Sequence, residues 1–294
     1  MRRRNLALAI LTSILAPAAL AGESVDKSLA APQDAVVSIN NTRGEVTVRG
    51  WDQALVSVKG ELDDLAQELV FVVEDGAVTI DVIMPRTNVN RGNGSDLVIK
   101  VPQGSRVRFS GVSTDISAEN ILGGMKIESV SGAIKARHIM PQLMLNAVSG
   151  DIAVEQVGGR LSASTISGDL QVKATATNVK VDTVSGSLVV ELEAFDTLAA
   201  RTISGRMDVS GDLNPGGELD MSTVSGEIYL ALQPGLNAKV DINGAVGSDI
   251  ENDYNDVRPT TSFPSQQRLR TVLGDGSAHV SVRAVAADIT FRQR

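Results

Sequence analysis

The chain has 294 residues, 43% of them apolar and only 3% aromatic, with 27 basic against 35 acidic side chains and no cysteine. A net charge of −8 argues against a partner built on phosphate backbones, and the missing cysteines exclude disulfides as well as lipid attachment to an N-terminal cysteine. Val, Ile, Thr, Ser and Gly dominate, and helix-like apolar spacing is confined to the short stretch Leu62 to Leu69, so the composition predicts an all-β fold.

Residues 1–21 read as a secretory signal peptide. Arg2, Arg3 and Arg4 form a positive head, Leu6 to Leu15 an apolar run too short for an anchor, and Ala19-Leu20-Ala21 a small-residue cleavage site. A twin-arginine reading of Arg3-Arg4 is the alternative, but the apolar pattern after it fits general secretion better. Cleavage after Ala21 removes three arginines and takes the charge from −8 to −11. No later segment is apolar enough to cross a membrane. The expected location is therefore the periplasm or the extracellular side, including the cell surface, with no transmembrane anchor.

Residues 22–110 read as an N-terminal β-strand capping region. "AVVSIN", "GEVTVRG", "ALVSVKGEL", "LVFVVEDGAVTIDVIM" and "DLVIKVP" alternate well but without a common period, and Asp75-Gly76 reads as a hairpin turn. A polar loop runs from Thr87 to Asp96. The expectation is a small sheet covering the first rung of a repeat region that begins near residue 111, because an open strand edge invites aggregation.

Residues 111–294 carry the repeat. Six copies of [Val/Ile]-Ser-Gly place glycine at 132, 150, 168, 186, 205 and 226, in steps of 18, 18, 18, 19 and 21 residues. Thr114 and Gly244 extend the series by 18 in each direction, and Ala286-Ala287 stand where Ser-Gly would be in a last copy, "AADITF". A fixed period of this size marks a stacked architecture. Two residues before the glycine the side chain is always β-branched (Val148, Ile166, Val184), and two and four after it always apolar (Leu170 and Val172, Leu188 and Val190). Alternation predicts that all three columns point inward. Ser-Gly supplies the bend.

A lone 18-residue coil burying about six side chains gains roughly 1.5–3 kcal/mol from each. Ordering its backbone costs about 1–2 kcal/mol per residue. Only a stack of coils that share hydrogen bonds and a core is stable. The prediction is a single-stranded parallel β-helix, or β-solenoid, with ~18-residue rungs. Thr165, Thr183, Thr202 and Thr223 form one ladder of it. Residues 245–271, polar and with two prolines, form an exposed excursion.

Four features together resemble a family of exported bacterial β-strand-repeat proteins labelled putative adhesins, a domain of unknown function. They are "RGEVTVRGWD" (Arg43–Asp52), "VPQGSRV" (Val101–Val107), the Val-Ser-Gly-Asp-Ile repeats and the closing "GDGSAHVSV…DITF". The resemblance covers nearly all of the chain after residue 21 and implies architecture rather than activity.

The sequence offers few groups for chemistry. His138 and His279 lie in different repeats without ligand-spaced partners. Asp249, Glu251, Asp253 and Asn255 alternate like calcium ligands, but Tyr254 and Thr260 stand where the loop glycine and closing glutamate belong. Asp151 and Asp169 stack on adjacent rungs about 5 Å apart, near the spacing of retaining glycosidases. Their column nevertheless reads Asp115, Ala133, Asp151, Asp169, Ser187, Arg206, Glu227, a mixture that fits a solvated turn, and Trp51 falls outside the repeats. The repeated serines lack a base and an orienting group. Gly274-Asp275-Gly276 lacks the remaining residues of a phosphate-binding motif.

The reading is a non-enzymatic, adhesin-like or structural envelope module. It has no catalytic, cofactor-binding or metal residues and no cofactor. Its partner is an unspecified envelope polymer or protein rather than nucleic acid, with self-association as an option. The alternative is a polysaccharide-active enzyme, a lyase or glycosidase, on a parallel β-helix.

Overall fold

The computed structural model describes residues 22–86, 92–245, 247–262 and 265–294; the expected signal peptide, residues 1–21, and residues 87–91 of the polar loop lie outside them. The described residues are all-β, and the fold is β-solenoid-like. Each repeat contributes one strand before the Ser-Gly corner and one after it, so the strands fall into a leading and a trailing column. In the leading column Gln142 pairs with Arg160 and Arg160 with Asn178, both in parallel. In the trailing column Ile116 pairs with Ile134, Ile134 with Ile152, Ile152 with Leu170, and Leu170 with Leu188. All six partners are 18 residues apart, the spacing of the glycines. The inward positions of both columns merge into one continuous apolar core, in which Leu170, Val172, Leu188 and Val190 are at most 1% exposed.

At the corner the expected phase is wrong. The β-branched column two residues before the glycine points outward: Val112, Val130, Val148, Ile166, Val184, Ile203, Val224 and Val285 are 38–54% exposed. The inward place belongs to the residue before it, in the buried ladder Thr165, Thr183, Thr202 and Thr223. Each threonine hydroxyl donates to the carbonyl two residues on, from Thr165 to Ser167 at 3.2 Å and from Thr223 to Ser225 at 3.1 Å. That bond closes the corner, leaves Val/Ile and Ser both on the outside, and restarts the alternation after the glycine. Gly168 takes φ +132° there, and a Cβ on it would lie 2.3 Å from the Gly150 carbonyl oxygen of the rung below. The column is written in glycine because the backbones of successive corners touch.

Gly244 does not extend that column, contrary to what its spacing predicts. It pairs with Ala284, in line with the threonine ladder, while Ser248 takes the corner and its hydroxyl accepts the Ala287 amide at 3.1 Å. The corner of that rung falls 22 residues after Gly226, so a step of 18 stops four residues short of it.

The pairing runs unbroken across residue 110. The strand Val36–Trp51 is itself a rung, lying parallel to residues 106–119 on one side and to residues 77–81 and 95–102 on the other. Three strands run antiparallel at that end: Ser24–Ala30, Leu55–Glu61 and Glu68–Glu74. At the other end the strand Ala278–Gln293 lies between residues 218–232 and residues 238–253, parallel to both. The strand Gln266–Leu273 then closes the leading column antiparallel to Ala238–Gly244. Each end of the stack thus has a rung inserted out of chain order.

Candidate functional site

The corner acids follow from the corner itself. The residue after the glycine points to solvent, and a carboxylate there lies beside the free amide of the next rung. Asp115 accepts the Ala133 amide at 2.7 Å, Asp151 the Asp169 amide at 2.9 Å, and Asp169 the Ser187 amide at 2.8 Å. Asp151 and Asp169 are therefore brought onto neighbouring rungs as expected, but each has one oxygen committed to a backbone donor. They serve as turn caps.

The strained outer residue His138 (φ +52°) and the exposed His279 belong to different rungs. Among the described residues no group of three or more His, Asp or Glu is placed to hold a metal ion. Asp249, Glu251 and Asp253 point outward from an edge rung paired with Ala278–Gln293, while Asn252 bonds to Asn255 and Val257. Tyr254, read from sequence as part of a solvated loop, is buried. Its ring stacks on Phe291 at 4.7 Å, and its hydroxyl accepts the Leu236 amide and donates to the Gln233 carbonyl. Trp51 donates its indole N–H to Leu55 and carries Lys100 over its ring at 5.2 Å.

A buried ion pair holds the N-terminal end. Asp63, with no side-chain exposure, receives the Arg43 guanidinium through two nitrogens and the amides of Leu65 and Gly94. The hydrogen bonds from Arg43 outweigh the desolvation and hold the carboxyl at about 2, below its ordinary 3.8. Sequence pattern gave no sign of this pair, because its members are joined only by the path of the loop between them.

The two outer faces differ in charge. On the trailing face one column reads Arg49, Glu119, Arg137, Glu155, Lys173, Glu191 on successive rungs. The sign alternates at every step, and ion pairs link Arg49 to Glu119, Arg137 to Glu155 and Lys173 to Glu191 at 3.4–4.0 Å. On the leading face two shallow grooves, of about 300 and 560 Å³, run on from each other by sharing Gln142 and Met144. Arg106, Arg108, Lys126, Arg160, Lys180 and Arg201 line them, against two acids, Glu218 and Asp220, at one end.

The family model described as Toastrack DUF4097 matches residues 35–292. No curated protein matches the chain. Among solved structures, the chain is similar to a putative adhesin from Bacteroides fragilis NCTC 9343, at 12% identity and a TM-score of 0.46, covering 92% of this chain and 97% of that one. It is similar also to a putative adhesin from Parabacteroides distasonis ATCC 8503, at 10% identity and a TM-score of 0.39, over 93% and 98% of the two chains. A third is a putative cell adhesion protein from Clostridium sporogenes ATCC 15579, at 9% identity and a TM-score of 0.23, over 92% and 100%.

Proposed function

Taking as premise that the chain belongs to the Toastrack DUF4097 family, we propose that it is an exported, non-enzymatic, adhesin-like module of the cell envelope. Its stack is read as a single-stranded parallel β-helix with ~18-residue rungs, and its outer faces do the binding. One observation carries the reading: the repeated carboxylates are committed to structure. Asp115, Asp151 and Asp169 cap neighbouring amides, and Glu119, Glu155 and Glu191 pair across rungs. A hydrolase or lyase needs an acid and a base converging on one reacting atom, with room between them. A surface of repeated, paired columns offers contact at many points instead.

The test has two arms. Incubated with a panel of acidic and neutral polysaccharides, the protein is expected to give no turnover; turnover abolished by Asp169→Asn would replace this reading with the enzymatic one. Crosslinked in intact bacteria, the chain is expected to begin at Gly22 and to be recovered attached to envelope material. A cytoplasmic, unprocessed product beginning at Met1 would sink the proposal.

A further inference from the structure

We propose that the leading face binds an extended acidic polysaccharide lying along the stack, in the continuous groove from Arg106 to Asp220. The inference rests on the binding-module reading above and names its ligand class. Three observations carry it. The groove crosses seven neighbouring strands, from 106–110 to 218–222, a length of ~29 Å at ~4.8 Å per strand. Its lining reverses the sign of the molecule: six cations to two acids, in a chain of net charge −8. The cations are also spread along the axis, with Arg106 and Arg108 on the first strand, Lys126 on the second, Arg160 on the fourth, Lys180 on the fifth and Arg201 on the sixth.

Such spacing offers no point where several donors meet one small anion, so it suits a ligand with charges at intervals along a chain. Lys126, Lys180 and Arg201 have acid partners in Glu128, Asp182 and Asp220, at 2.9, 3.4 and 3.7 Å. Arg106, Arg108 and Arg160 have no ion pair among the described residues. The ligand's carboxylates would find their strongest contacts at those three arginines. No aromatic side chain lines either groove, which removes the stacking platform that single-stranded nucleic acids use. The cations are spread along a groove rather than gathered beside a protruding apolar edge, which disfavours a bilayer.

The probe is polygalacturonate, a linear carboxylated polysaccharide, with uncharged dextran, a single-stranded oligonucleotide and anionic phospholipid vesicles beside it. The mature protein is expected to bind polygalacturonate at low salt, to bind dextran at least about tenfold more weakly, and to lose affinity about tenfold in high salt. Arg160→Gln with Lys180→Gln is expected to weaken binding by about tenfold, with unfolding unchanged, whereas Lys173→Gln on the trailing face leaves it as it was. Equal binding by the groove variant, no binding by the unaltered protein, or tighter binding to the oligonucleotide or the vesicles would each overturn the proposal. Envelope attachment that survives in the groove variant would overturn it too while leaving the binding-module reading in place.

Discussion

A valine or isoleucine beside Ser-Gly and a leucine two residues after it look alike in the sequence, yet they do opposite work. Leu188 is fully buried, so Leu188→Ala is expected to cost about 2–5 kcal/mol through lost contacts and the cavity left between rungs. Ile166 is 50% exposed, so Ile166→Ala is expected to cost under about 1 kcal/mol. Denaturant unfolding of the two variants distinguishes them, and equal losses would place the corner phase back where simple alternation puts it. Alternation did identify Leu170, Val172, Leu188 and Val190 as inward, with Gln171, Lys173 and Glu191 exposed beside them, because those stretches are uninterrupted strand. It failed at the corner because the threonine hydroxyl bond turns two successive residues out, and a period-two pattern cannot anticipate that. Gly168→Ala tests the corner from the backbone side. With φ +132° and a carbonyl oxygen 2.3 Å from the new Cβ, it should cost about 2 kcal/mol or more. Asp63 gives a pH signature. Its carboxyl titrates at about 2 when folded and near 3.8 when unfolded, so its contribution, roughly 2 kcal/mol, is complete above about pH 4 and vanishes as pH falls through 2. The stability gap between wild type and Asp63→Asn is therefore expected to close over that range; a gap that stays constant would mean the charge is not what holds the loop.

Near-identical rungs bring a difficulty that a single strand does not have, since a rung can dock on the wrong neighbour with its apolar columns still matched. The alternating column from Arg49 to Glu191 answers this at the level of the element. A displacement by one rung sets like charge against like along the trailing face, and cross-strand like pairs are unfavourable. Lys173→Glu would place three glutamates on consecutive rungs, with Glu155 below and Glu191 above. Because Lys173 is 73% and Glu191 50% exposed, the expected loss is modest, about 0.5–1 kcal/mol at low ionic strength. It should exceed the loss from Lys173→Gln and shrink in high salt. A loss independent of salt would assign Lys173 a packing role instead. The charges were plain in the sequence, but the alternation appears only once residues 18 apart are placed side by side. The same period misplaced Gly244, because the chain reaches the next corner only at Ser248, 22 residues after Gly226, on a rung separated from Gly226 by the inserted strand Ala278–Gln293.

At the scale of the molecule, the ends of the stack decide whether the rungs between them persist, since each rung is held mainly by its neighbours. The C-terminal strand Ala278–Gln293 lies parallel to residues 238–244 and 249–253 on one side and to residues 218–232 on the other, so it joins the last rung to the rest of the stack. Its residue His279 pairs with Glu218, 61 residues earlier, far outside the repeat, which is why no periodic signal in the sequence announces the insertion. Removing residues 278–294 therefore takes away a layer from inside the stack rather than a tail from its surface. It also removes Phe291, against which Tyr254 stacks, and leaves the Tyr254 ring over an empty place in the core. Three consequences are expected for the truncated protein. Amide hydrogen-exchange protection should be lost across residues 238–273. It should persist in residues 142–192, whose neighbours on both sides are untouched. The chain should self-associate, because residues 218–232 now present an unpaired strand edge. Exchange measured segment by segment, with the size of the particle followed by light scattering, reads all three. If residues 238–253 remain protected, that rung can dock directly on residues 218–232 and the insertion is dispensable. If protection falls equally in every rung, stability is shared by the whole stack and the nearest-neighbour account is wrong.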